Sequence, residues 1–220
     1  HMTGGFYLAS NKTWYNYLKR ERSKARYMGL QQEFISPAEV ASRHPLIDPK
    51  HYHAALWDEQ DGDLDPSGAT YAFAKAAKFY GAQYFTHTPA TSTTQKSDGS
   101  WDIVTPKGSI NAEIIVNCGG LWAREVGHMQ GLQIPVQPME HHYLITERID
   151  AVANHGSRLP CGIDYEANIY FRQEQEGMLL GTYEPVGTPW KVSGTPWDFG
   201  HELLQPNLDN IADRLELAFE

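Results

Sequence analysis

The chain has 220 residues, of which 41% are hydrophobic and 12% aromatic, enough for one large core or two small ones and suited to a sheet-rich fold. Eighteen basic residues stand against 27 acidic ones, a net charge of −9. The only basic cluster, Lys19-Arg20-Glu21-Arg22, reads as the solvated face of a helix, which argues against a nucleic-acid partner. No apolar run approaches the roughly 20 residues of a membrane span, and no stretch has the pattern of a secretory leader. Two cysteines, Cys118 and Cys161, lie far apart and predict a reducing compartment.

His1-Met2 reads as a cloning scar. Thr3 then leads straight into a strand-like run, Gly5 to Ala9, so the chain is expected to be an internal piece of a longer protein. Ser10 or Asn11 caps a helix predicted to reach about Met28, with Trp14, Leu18, Ala25 and Met28 on one stripe and Gly29 as its stop. Ser36-Pro37-Ala38-Glu39 is a capping box with proline at the first helical position, and Pro45 ends that short helix. Asp65-Pro66 opens a third helix, whose face of Phe73, Ala76, Ala77 and Tyr80 suits close packing on a sheet, and Gly81 stops it.

Gln83–Thr86 and Ala90–Gln95 are strand candidates, followed by a turn at Ser97-Asp98-Gly99. Trp101–Thr105 and Ser109–Ala112 flank Pro106-Lys107-Gly108 as a hairpin. The β-branched run Ile114-Ile115-Val116 then ends in Asn117 and Cys118, and Gly119-Gly120 leads into an amphipathic stretch from Leu121-Trp122-Ala123. Strand, Gly-Gly and helix in that order present bare backbone and a helix N-terminus at the end of a buried strand, where phosphates and rings dock in open α/β sheets. No G-x-G-x-x-G occurs in the chain, so only half of a dinucleotide site is legible. After Gly131 come strands at His142–Thr146, Asn168–Gln173 and Met178–Tyr183, and a closing helix using Leu208, Ile211, Leu215 and Phe219.

Several clusters invite chemistry. The acidic run Asp58 to Asp65 partly matches a calcium loop, but Ala69 falls where the twelfth-position glutamate is required, and a turn with a helix cap explains the run. Ten histidines include no His-x-x-x-His helix and no Cys-x-x-Cys pair, so no metal site is expected. Adjacent His141 and His142 should diverge on a strand. His141 at a strand mouth and Tyr170 on the next predicted strand could meet one ligand, although a lone histidine there is more often structural. Cys118 could be an activated nucleophile at a helix N-terminus or simply a small buried residue beside the glycines.

In collinear order, TGGFYLAS, DEQDGDLDPSGAT, SDGSWDIVTPKGSINAEIIVNCGGLWAREVG, PVQPMEHHYLITE, NIYFRQEQEGMLLGTYEP and GTPWDFGHELL resemble blocks of the dimethylglycine and sarcosine dehydrogenase family. These are FAD-dependent amine oxidoreductases of the D-amino-acid-oxidase superfamily, and the resemblance covers almost the whole chain. WAREVG and the YFRQEQEGMLLGTYE run resemble the dimethylglycine branch more than the sarcosine branch. The resemblance implies an α+β fold: an antiparallel substrate-domain sheet with flanking helices, interrupted by a partial FAD-binding α/β segment. The divisions expected are 3–58 and 133–220 for the substrate domain and 59–132 for the FAD segment.

The same resemblance implies oxidation of the N-methyl group of dimethylglycine or a sarcosine-like amine, by hydride transfer to FAD. It assigns the catalytic roles to His141 and Tyr170. It assigns the flavin contact to Cys118, Gly119, Gly120, Leu121 and Trp122, with Gly119 standing where the family commonly has alanine. Tetrahydrofolate would belong to a further C-terminal domain, and an electron-transfer flavoprotein is a possible electron acceptor. The expected location is cytoplasmic, or the mitochondrial matrix if the source is eukaryotic. With the glycine motif missing, the chain alone is expected to be inactive and to hold FAD weakly or not at all. A rival reading is a non-catalytic regulatory relative with the same fold.

Overall fold

The structure, a computed structural model, describes residues 1–200 and 202–219; His201, within the GTPWDFGHELL block, and Glu220, at the end of the expected 133–220 segment, lie outside the described residues. In chain order the elements are β1 (Gly5–Ala9), α1 (Lys12–Tyr27), β2 (Gln32–Ile35), α2 (Pro37–Arg43), β3 (Ala54–Asp58), α3 (Pro66–Phe79), β4 (Ser92–Gln95), β5 (Trp101–Thr105) and β6 (Gly108–Ala112). Then follow α4 (Ala123–His128), β7 (Tyr143–Ile145), α5 (Asp150–Ala153), β8 (Cys161–Asp164), β9 (Ile169–Glu174), β10 (Gly177–Thr182) and α6 (Ala212–Phe219).

The chain divides into two compact units. One comprises His1–Pro66, His141–Val186 and Pro206–Glu220, the other Ser67–Glu140 and Gly187–Gln205. The divisions differ from those expected at 58 and 132. Beyond residue 58 the acidic run still serves the first unit: Asp61 accepts from the Tyr7 hydroxyl and Asp63 holds Arg158. Residues 187–205 belong to the second unit, where Arg124 donates to the carbonyls of Lys191 and Val192 and Trp122 donates to that of Pro196.

In the first unit seven strands form one sheet in the order β2-β3-β1-β8-β9-β10-β7. All its strand pairs are antiparallel except β1 with β8, which run parallel. The expected wholly antiparallel sheet is corrected at that pair, so the fold is a mixed α/β arrangement built on a large sheet. A parallel neighbour needs a long crossover, and the chain between β1 and β8 includes Ser67–Glu140, the larger segment of the second unit.

One face of the sheet buries Phe6, Leu8, Ile169, Phe171 and Leu180 with Val40 and Val152 from α2 and α5. On the other face Leu56 packs with Leu18 of α1, joined by Tyr7, Trp14 and Phe34. α1 begins as its sequence predicts: the Asn11 side chain accepts from the backbone N–H groups of Thr13 and Trp14, and Gly29 follows the helix end at φ +85. Leu18 and Ala25 are buried on its stripe, but Met28 is exposed. α2 has the full capping box between Ser36 and Glu39. Of the closing stripe, Ile211 is buried while Leu208 and Phe219 are exposed.

The second unit has a three-stranded antiparallel sheet, β4-β5-β6, whose hairpin lies where the sequence places it. Three expectations fail in this unit. Gln83–Thr86 is not a strand, and among the described residues Ile114–Val116 pairs with no strand, leaving Ile114 and Val116 exposed. β-branched residues favour an extended backbone, but a strand also needs a hydrogen-bonded neighbour. The aromatic face of α3 is likewise uncovered, with Phe73 and Tyr80 exposed.

Candidate active site

In the first unit the β-sheet register sets Tyr7, Ile163, Tyr170 and Gly181 in one row across β1, β8, β9 and β10. Directly opposed residues share a face, so Tyr170 lies on the face that α1 covers. α1 packs on β1, β2 and β3, which leaves the β9–β10 end of that face to other side chains. The Tyr170 ring lies across Gly181, where a Cβ would overlap its Cζ and hydroxyl.

His141 and His142 stand immediately before β7, and Glu184 stands just beyond β10, its antiparallel neighbour. The three therefore meet at one end of the sheet. His141 Nδ1 lies 2.8 Å from Glu184 Oε2, and His142 Nδ1 lies 2.7 Å from Oε1, which also accepts from the His142 backbone N–H at 2.8 Å. The expected divergence of the two imidazoles is thus corrected: both residues precede the strand, and strand alternation does not govern them.

The His141 ring centroid lies 6.4 Å from that of Tyr170 and 5.3 Å from that of Tyr183, and the two tyrosine rings are 5.6 Å apart. Burial pushes the Glu184 carboxyl up, but its own backbone N–H and the hydrogen bonds from His141 and His142 outweigh this and bring it down to about 2. Glu184 is therefore a carboxylate at neutral pH. Burial, with Tyr183 close by, raises the Tyr170 phenol, so Tyr170 stays protonated and can donate. Neither Tyr183 nor Glu184 was singled out from sequence; the GTYEP run held them, with no local pattern marking a role.

The expected flavin-contact residues lie in the second unit. Asn117 organises their turn, accepting from Gly119 N–H and donating to the Ala123 carbonyl. Gly120 adopts φ +52 with open space where a Cβ would project, and Cys118 is exposed rather than buried. Leu121 and Trp122 complete a 3-10 turn ahead of α4, which spans only 6 residues. Bare backbone at Gly120 fits a flat cofactor edge, whereas a Cβ at Gly119 would lie 3.0 Å from Asn117 Oδ1 and 3.2 Å from the Ala123 backbone. The expected helix N-terminus for a diphosphate is not supplied by so short a helix, because the macrodipole builds up over aligned peptides.

Other candidates resolve as structure. Asp58 accepts from Gln60 N–H and Gln32, and Asp61 from Tyr7 and Gly62 N–H, so the acidic run ties a turn to the sheet. Burial, with Asp61 nearby, raises the Cys161 thiol to about 11, and both cysteines are free. Among the described residues, no group of three or more metal-binding side chains occurs and no helix is long and apolar enough to cross a membrane.

The chain is 37% identical over its whole length to mitochondrial dimethylglycine dehydrogenase of Mus musculus, spanning 26% of that protein. It is 32% identical to mitochondrial sarcosine dehydrogenase of Mus musculus over 98% of this chain and 23% of that one. Its fold matches the crystal structure of L-proline dehydrogenase from P. horikoshii with TM-score 0.79 and 27% identity, over 98% of this chain and 55% of that chain. The chain thus spans about a quarter of the curated relatives it matches. The DAO family model, described as FAD dependent oxidoreductase, matches residues 1–218, and the chain belongs to that family.

Proposed function

We propose that the chain is part of an FAD-dependent dehydrogenase that oxidises the N-methyl group of dimethylglycine or a similar N-methylated amino acid. The observation carrying this reading is the juxtaposition of His141 and Tyr170, 6.4 Å apart between ring centroids, on the stretch of sheet face beyond α1. The identity to dimethylglycine and sarcosine dehydrogenases supports the substrate class.

In this reading the first unit supplies the substrate site. Cys118, Gly119, Gly120, Leu121 and Trp122 hold part of FAD through the open backbone of their turn. When bound, FAD supplies the two-electron acceptor. The residues of this chain prepare the amine: oxidation breaks a methyl C–H bond with its electron pair and turns the nitrogen lone pair into the C=N bond of an iminium, so the amine must be neutral. His141 takes the ammonium proton, and Tyr170, a neutral phenol beside it, positions the substrate without tying up the nitrogen lone pair. Tyr183 closes one side of the pair. An electron-transfer flavoprotein or oxygen would be the final electron acceptor. Tetrahydrofolate would take up the released carbon in another part of the protein. In a eukaryotic source the enzyme would work in the mitochondrial matrix, in keeping with the names of its relatives and its two free cysteines.

The test is stopped-flow flavin reduction by dimethylglycine in the FAD-loaded full-length protein. One positioned proton-handling group is typically worth ~10²–10⁴-fold, so His141→Ala or Tyr170→Phe should slow reduction about ten-fold or more while flavin content stays nearly intact. Wild-type rates in both variants would sink the assignment.

A further inference from the structure

We propose that Glu184 is a positioning residue that locks His141 in the Nδ1–H tautomer, so that Nε2 of His141, and of His141 alone in the His141-His142 pair, is offered to the substrate amine as a proton acceptor. The proposal rests on the functional reading above, and its test separates the two.

Glu184 presents one carboxylate to two residues. Its two oxygens are divided between adjacent histidines: Oε2 faces His141 Nδ1 at 2.8 Å, and Oε1 faces both His142 Nδ1 at 2.7 Å and the His142 backbone N–H at 2.8 Å. An ionised carboxylate only accepts. Each Nδ1 must therefore carry its proton, and in a neutral ring Nε2 is left as a lone pair.

The two lone pairs have different fates. That of His142 accepts from the Asn207 backbone N–H at 3.3 Å, so every polar atom of that ring is engaged. Among the described residues, Nε2 of His141 has no hydrogen-bond partner, and its side chain is 40% exposed. One carboxylate thus makes one histidine structural and leaves its neighbour ready to react. Facing His141 are Glu184 and Tyr183 from the chain after β10, Tyr170 from β9, and His142 from its own segment. Arg172, also on β9, pairs with Glu174. Among the described residues, Glu184 is the one carboxylate bound to the imidazole.

Glu184→Gln makes the idea testable because it changes charge without changing shape. The amide oxygen should take the His142 side, where two N–H groups donate. The amide NH2 then faces His141 and needs an acceptor at Nδ1, which forces the His141 proton onto Nε2. Multiple-bond 15N–1H NMR of the histidine-labelled chain reads the tautomers directly. The expected results are Nδ1–H at both histidines in the wild type, Nε2–H at His141 alone in Glu184→Gln, and recovery of Nδ1–H at His141 in Glu184→Asp.

In the FAD-loaded full-length protein, Glu184→Gln should slow flavin reduction roughly 10²-fold or more at unchanged flavin content, since it removes the acceptor. Nε2–H at His141 in the wild type would overturn the proposal without recourse to any variant. An unchanged His141 tautomer in a folded Glu184→Gln protein would overturn it too. A flipped tautomer with the wild-type reduction rate would instead overturn the role given to His141 itself.

Discussion

Gly181 stands opposite Tyr170 in the β9–β10 register, and a Cβ there would overlap the tyrosine ring. Gly162 does the same for Phe171 on the other face. Two glycines thus let consecutive aromatics of β9 lie flat over neighbouring strands, one toward the candidate site and one into the core. Gly181→Ala should push the Tyr170 ring away from His141, at an overpacking cost of about 1–3 kcal/mol. A fall in Tm and a slowed reduction of bound flavin by dimethylglycine would register it; unaltered values for both would show that the ring has room to move. At this scale His141 and Tyr170 were candidates mainly through family resemblance, and the sequence drew no attention to Gly181 or Glu184. Their roles depend on register and on a partner 43 residues away, and no local pattern encodes either.

Helix ends were the most legible elements, because caps act within a few residues. Asn11 offers one side-chain oxygen to two orphan N–H groups, at 2.9 and 3.1 Å. Asn11→Ala should therefore cost about 1 kcal/mol, seen as a lower urea midpoint at unchanged slope; no change would mean that solvent satisfies those groups equally well. The hairpin of β5 and β6 was read almost to the residue for the same local reason. β2, β3 and β8 were missed. They have 4, 5 and 4 residues, too few for a clear period, and β3 is buried on both faces in part, which erases alternation. The opposite error occurred at Ile114–Val116, where strand-forming residues lack a strand neighbour in their unit.

Across the first unit, burial creates a pH dependence. His44 is 1% exposed, with the rings of Phe6 and Phe171 edge-on to it at 6.4 and 5.5 Å and neither ring nitrogen hydrogen-bonded. Burial, helped by His155, lowers its pKa from 6.5 to about 4. The unfolded chain then binds the proton more readily than the folded one. Stability is full above pH 6.5 and falls as the pH drops from 6.5 through 4, by on the order of 3 kcal/mol. Glu184 adds a lower window, its contribution being lost as the pH falls from 4.5 through about 2. Urea titrations across this range should show the upper window disappear in His44→Leu while the lower one persists; an unchanged upper slope in that variant would acquit His44.

By itself the sequence determined where α1, α2 and α3 start and stop, where the hairpin turns, and, through its collinear blocks, the family; α5 it did not show. Each of those signals sits within a few neighbouring residues or in residue order. Only the tertiary structure decided that β1 pairs with β8, that α1 covers part of one sheet face, and that Glu184 joins two adjacent histidines while leaving one nitrogen free. These depend on which strands become neighbours and in what register, and a shift of a single residue turns every side chain to the opposite face.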